Sequence, residues 1–225
     1  MFLDWTIILI IPVFILAIYA QNKVKGNYQK YSKVTNSLNL SGSDIAKQIL
    51  EMNGIYDVSI QPTQGELTDH YNPKKKTVNL SENIYYGNSI SAISIAAHEV
   101  GHAIQHARNY HPLLIRDNLV PMANLGSTAA FPLFFIGFLF SFPLLMDLGI
   151  IFFGLAFLFH VVTLPIEFNA SHRALSHLSS NFSLPPKEVR LSKKVLNAAA
   201  LTYVASALMA LMQFIRLIIL RGSRD

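Results

Sequence analysis

The chain has 225 residues, of which 52% are hydrophobic, and carries a formal net charge of +5 with no cysteine. The missing cysteines exclude disulfides and thiolate-bound zinc, whatever the compartment. The apolar residues gather into long runs instead of recurring at the spacing of soluble amphipathic helices, so the chain reads as a membrane protein. No basic face with interleaved aromatics appears, and the excess positive charge is read as membrane topology, not as nucleic-acid binding.

Taken in chain order, residues 5–19 form a first apolar run, a little short for a full span and flanked by Trp5 and Tyr19 as interfacial anchors. Asp4 precedes it with no lysine or arginine, and no clean small-residue cleavage site follows Ala20, so the run reads as an uncleaved anchor and not a signal peptide. In the polar stretch that follows, residues 41–54 predict a helix with Ser41 as N-cap, Asp44 three residues on, and Gly54 as the stop. Residues 58–60, 67–70 and 76–80 predict short strands, with a turn at Asn72-Pro73-Lys74. Such a β-ribbon either holds an extended peptide by edge pairing or simply packs as a hairpin. The lysines at 74 to 76 read as a solvated turn.

Residues 91–108 are rich in Ala and Ile without proline, which predicts a helix ended by Asn109 and Pro112. Within it lies His98-Glu99-Val100-Gly101-His102. Residues four apart on a helix share a face, so His98 and His102 can offer two imidazole nitrogens to one Zn²⁺. Glu99 falls beside the metal, where a carboxylate can deprotonate a water, the arrangement of a metalloprotease and not of a structural zinc site.

A third ligand is needed. His106 continues the stripe, but eight helical residues place it about 12 Å from His98, too far to share an ion. Gln105 and Arg108 stand where the metzincin pattern requires Gly and His. The candidates are therefore distant: His160, Glu167, His172 and His177, with Asp147 as an outlier. His70 and His111 read as surface histidines.

Residues 125–166 are apolar, too long for one helix, and interrupted at 141–147, which predicts two spans joined by a tight turn. A polar segment, 167–194, follows, then an apolar helix over 195–220 broken by Gln213 and Arg216. The hairpin returns both polar segments to one side of the membrane. Lys23, Lys25, Lys30 and Lys33 in the first, with Arg173, Lys187, Arg190, Lys193 and Lys194 in the second, make that side cytoplasmic; Arg221 and Arg224 dissent. On this topology Asp147 lies on the opposite face from His98. Glu167 lies at the cytoplasmic end of the third span, directly after Pro165 and Ile166, where a carboxylate is costly unless paired or metal-bound. It is the preferred third ligand.

Three blocks of sequence carry a family resemblance: Ala96-Ala97-His98-Glu99-Val100-Gly101-His102-Ala103-Ile104-Gln105-His106-Ala107; Leu164-Pro165-Ile166-Glu167-Phe168-Asn169-Ala170-Ser171 with Arg173-Ala174; and Val195-Leu196-Asn197-Ala198-Ala199-Ala200-Leu201-Thr202-Tyr203-Val204-Ala205. Together they resemble the YugP-like neutral zinc metallopeptidases of bacterial membranes, over nearly the whole chain. The resemblance implies a multi-pass membrane zinc peptidase, distantly similar to the HtpX and CAAX-prenyl-protease group. In that group the third ligand is the Glu of an E-x-x-x-D element, which falls here on Glu167. Ser171 stands where that group has Asp, so a bond that orients a zinc histidine falls to Ser171 or Asn169, or is absent.

The expected fold is a mainly α membrane protein of about four transmembrane helices, with a zincin-like cytoplasmic α+β part holding the H-E-x-x-H helix and a small β-ribbon. Its expected parts are an anchor (1–20), a catalytic segment (21–122), a transmembrane hairpin (123–166), a segment bearing the third ligand (167–194), and a last helix with its tail (195–225). The expected activity is peptide hydrolysis at one Zn²⁺ per chain held by His98, His102 and Glu167, with Glu99 as general base. His172, Arg173 and Tyr203 are candidates for stabilising the oxyanion. Expected partners are peptides or membrane proteins as substrates and the lipid bilayer of the bacterial cytoplasmic membrane. The rival reading is a zinc-containing membrane scaffold or chaperone without catalysis.

Overall fold

A computed structural model describes residues 5–223; Asp4 and Arg224, used above in reading topology, lie outside the described residues. The chain is mainly helical with one small sheet. After a 3-10 turn, Trp5–Leu9, come α1 (Ile10–Tyr31), α2 (Gly42–Met52), strands β1 (Ser59–Thr63), β2 (His70–Asn72) and β3 (Thr77–Ser81), then α3 (Glu82–Tyr85), α4 (Ile90–Ala107), α5 (His111–Leu139), α6 (Pro143–Ser176) and α7 (Pro186–Gly222). Among the described residues four helical stretches are long and apolar enough to cross a membrane: Trp5–Tyr31, His111–Leu139, Pro143–Asn181 and Pro186–Gly222.

The chain divides into two compact units. The first takes the described residues of Met1–Ala20, His111–Pro165 and Leu201–Asp225; the second takes Gln21–Tyr110 and Ile166–Ala200. In the first unit Ala130, Phe134, Met146, Phe153, Ala210 and Leu217 form the buried cluster. Many of its other large apolar side chains face outward, Ile11, Phe14, Ile15, Ile151 and Leu158 among them, as expected where the solvent is hydrocarbon. The turn between α5 and α6 is closed by Ser141 in a left-handed conformation, φ 53°. Arg221 of α7 meets Asp147 of α6 at 2.9 Å, and Arg216 donates to Thr6 at 3.0 Å. Arg221, one of the two arginines that dissented from the charge pattern, is thus matched by the one acid of the hairpin turn.

In the second unit the core joins α2, α4, the sheet and parts of α1, α6 and α7 through residues such as Ile45, Ile49, Leu80, Ile93, Ile104, Leu178 and Leu196. α2 begins as its sequence demands: Asp44 N–H donates to the Ser41 hydroxyl at 3.1 Å, and the Ser41 N–H donates back to the Asp44 carboxylate at 3.0 Å. It stops at Gly54, whose φ of +70° a side chain would resist.

Several boundaries differ from expectation. The first apolar run continues as helix to Tyr31, because Lys23, Lys25 and Lys30 leave the hydrocarbon without breaking helical hydrogen bonding; hydropathy marks the solvent, not the end of a helix. For the same reason α5 begins at His111, fourteen residues before the apolar stretch, and α7 at Pro186. α4, by contrast, ends at Ala107 within a residue of expectation, with Asn109 left-handed at φ 50°, and Pro112 sits in the first turn of α5, where no N–H is needed. Gln213 and Arg216 do not break α7, since Arg216 finds Thr6. Pro165 lies inside α6, which runs unbroken past Glu167. The β-ribbon is a three-stranded sheet of order β1-β3-β2, with β1 parallel and β2 antiparallel to β3. The two-strand hairpin across Asn72-Pro73-Lys74 is present within it, and β1 occupies the far side of β3.

Candidate metal centre

α4 is buried along nearly its whole length. It crosses α6 with almost no gap: a Cβ on Gly101 would lie 2.9 Å from the Ala170 carbonyl oxygen and 3.1 Å from its Cα. Only glycine permits that approach. The close crossing brings α6 residues 166–171 onto the face of α4 that carries His98 and His102.

There Glu167 Oε2 lies 3.3 Å from His98 Nε2 and 3.7 Å from His102 Nε2, and one donor atom from each of the three residues lies within 4.8 Å of the others. Among the described residues it is the one such group of His, Cys, Asp or Glu. Two ligands each about 2.1 Å from a tetrahedral ion stand about 3.4 Å apart, so these separations suit donors sharing one ion. Glu167 is 5% exposed, and its Oε2 takes no hydrogen bond. A buried carboxylate oxygen left without a donor is costly unless a cation supplies the missing charge.

The opposite ring nitrogens are held. Ser171 Oγ is 3.1 Å from His98 Nδ1, and Gln105 Oε1 is 3.0 Å from His102 Nδ1. The Gln105 amide has no freedom to flip, because its nitrogen donates to the Ile166 carbonyl at 2.8 Å and to Asn169 Oδ1 at 3.0 Å. Its oxygen must therefore accept from His102 Nδ1–H, which leaves the Nε2 lone pair for a metal. Asn169 is itself fixed by Arg173 Nε at 2.7 Å. Burial pulls the His102 imidazole down, but the Glu167 and Glu99 carboxylates outweigh it and its pKa is raised. The pocket favours positive charge at this point.

Glu99 sits at the edge of the group, 9% exposed, with its Oε2 accepting the Tyr71 main-chain N–H at 3.0 Å. β2 is an edge strand, and this N–H is given to the carboxylate outside the sheet. The outward N–H of Tyr71 is then not free to pair with another strand. Asp69, just before β2, accepts from the Ser81 N–H at 2.7 Å, and burial raises its pKa.

The other candidates are not members of this group. Asp147 pairs with Arg221. His172 is exposed, His177 Nε2 is 3.3 Å from the Asn53 amide, and His160 and Tyr203 belong to the first unit. His70 and His111 are exposed, and His106 Nδ1 is 2.8 Å from the Tyr71 hydroxyl. Gln105 and Tyr71 are the residues that sequence reasoning missed; Gln105 entered only as a departure from the metzincin pattern and Tyr71 not at all. A glutamine three residues after a helical histidine, in an otherwise Ala- and Ile-rich stretch, was the available signal for Gln105.

A membrane protein with a buried His-His-Glu group suited to a divalent ion is what the helices and the site together define. Residues 6–222 match a protein family described as "putative neutral zinc metallopeptidase", and the chain belongs to that family. It is 48% identical over 205 residues to the "Putative membrane protease YugP" of Bacillus subtilis (strain 168), an alignment covering 91% of each protein. No solved structure matches the chain.

Proposed function

We propose that the protein is a membrane zinc endopeptidase of the gluzincin type, with its site at the cytoplasmic surface of the bacterial membrane. His98 Nε2, His102 Nε2 and Glu167 Oε2 would hold one zinc per chain in a zincin-like α+β part. The observation that carries this reading is their convergence on an oxygen that has no other donor, beside a carboxylate that is not part of the set.

Zinc bound there supplies Lewis acidity to a scissile carbonyl and to an attacking water. Glu99 takes the proton of that water on one carboxylate oxygen, while Tyr71 N–H holds the other, and delivers it to the leaving amine. Ser171 and Gln105 keep the two imidazoles in the ligating tautomer. Arg173 is already bonded to Asn169, so its first role is to brace that network; oxyanion stabilisation would fall to it, His172 or Tyr203 only in the presence of substrate. Residues 1–20, 123–166 and 195–225 serve as membrane anchor, hairpin and last helix around catalytic segments 21–122 and 167–194. The exposed lysines of those two segments support a cytoplasmic site. A site at the membrane surface suits membrane proteins or their cleaved fragments as substrates.

Purified wild-type protein and Glu99→Gln, each incubated with a mixed peptide library, test the reading. The variant should keep about one zinc per chain and lose several orders of magnitude in turnover. Equal hydrolysis by both, or a zinc-loaded wild type that cleaves nothing, would leave a scaffold as the better description.

A further inference from the structure

His106, the third histidine of the α4 stripe, takes no part in the His-His-Glu group. It lies too far along the helix to reach the ion, yet Tyr71 OH meets its Nδ1 at 2.8 Å, the two rings tilted with centroids 5.9 Å apart. The same Tyr71 gives its main-chain N–H to Glu99 at 3.0 Å. One residue thus touches α4 twice, seven positions apart, by its backbone at the base and by its side chain beyond the ligands.

We infer that Tyr71 is a positioning residue for Glu99, and that its bond to His106 is the clasp that keeps its N–H on the base. β2 is three residues long and paired on one side only, so its own ladder holds it weakly. Its ends are tied locally: Asp69 accepts from Ser81, and Asn72 Oδ1 accepts from the N–H groups of Lys74 and Lys75 at 3.0 and 3.1 Å. Those ties fix β2 to β3. The bond to His106 fixes it to the helix that bears the ligands. With Oε2 held, Glu99 presents its other oxygen in one place, and a carboxylate misplaced by about 1 Å can cost up to a hundredfold in rate.

This inference rests on the peptidase reading for its kinetic test but not for its structural one. On a peptide that the wild type cleaves, Tyr71→Phe and His106→Leu should each lower kcat roughly tenfold with KM and zinc content unchanged. The double variant should be no slower than either single one, because both remove the same bond. His106→Gln, which can still bond the phenol, should recover most of the rate. Separately, amide hydrogen exchange on the full-length protein in detergent should show Tyr71 N–H protected in the wild type and faster in Glu99→Ala and in His106→Leu. Unchanged kcat in both single variants, loss of zinc in either, multiplying losses in the double variant, or unchanged exchange in His106→Leu would overturn it. If wild type and Glu99→Gln behave alike, the peptidase reading fails instead, and exchange alone decides the clasp.

Discussion

The two units turn their apolar side chains in opposite directions. In the first, large apolar side chains turn outward, and Arg216 donates to Thr6 while Arg221 pairs with Asp147. In the second, apolar side chains turn inward, and the buried polar groups form a chain running Arg173, Asn169, Gln105, His102, with Ser171 on His98 and Tyr71 on Glu99. A connected network fixes the orientations of its members, which is what a metal site requires. The three candidate metal ligands all lie in the second unit.

That contrast can be broken most completely at the level of sidedness. Single cysteines at Lys75 and Lys187, both exposed in the second unit, should react with an impermeant thiol reagent only after the membrane is opened. One at Asp147, in the first unit, should react in intact cells. Labelling of positions 75 and 187 on opposite faces would contradict a second unit gathered on one side of the bilayer. Next in size, Glu167→Ala should strip zinc as His102→Ala does, while Asp147→Asn leaves it in place, as read by metal analysis of the purified variants. Zinc lost from the Asp147 variant would join the two units in a way the contrast denies.

Smaller effects sharpen the picture within the second unit. Gln105→Leu should weaken zinc binding by roughly 10- to 100-fold in competition with a chelator, because His102 loses the acceptor that sets its tautomer. Ser41→Ala removes a cap from α2 and should cost about 1 kcal/mol of stability with no change in zinc affinity. The hydroxyl and N–H of Ser41 hold the Asp44 carboxyl below its ordinary range. Its stabilising share is thus present above the usual carboxylate pKa and is lost as pH falls through the lowered one. Denaturation of wild type and variant should accordingly converge in acid.

Legibility in the sequence followed the range of the interaction. His98, Glu99 and His102 were readable because four residues of helix bring the two histidines onto one face, and Ser41 with Asp44 because a capping box closes within three. Glu167 was readable as a carboxylate stranded at the end of an apolar run. Gln105 was not, since its role depends on Ile166 and Asn169, 61 and 64 positions away. Nor was the parallel partner of β3: strands of three to five residues carry too little alternation to say which neighbour they choose. Helix ends were displaced where an apolar run was read as the whole helix, although a helix leaving hydrocarbon for water keeps its own hydrogen bonds.

The short sheet also bears on solubility. Both of its outer strands are poor templates for another chain: β1 carries Pro62, which donates nothing, and β2 is three residues long with its Tyr71 N–H already given to Glu99, followed by Pro73 and the exposed Lys74 and Lys75. Proline, brevity and like charge at an open border are the means by which sheets avoid growing into fibres. A protein crowded in two dimensions at a bilayer meets its own copies often, and here such encounters find no strand ready to be extended.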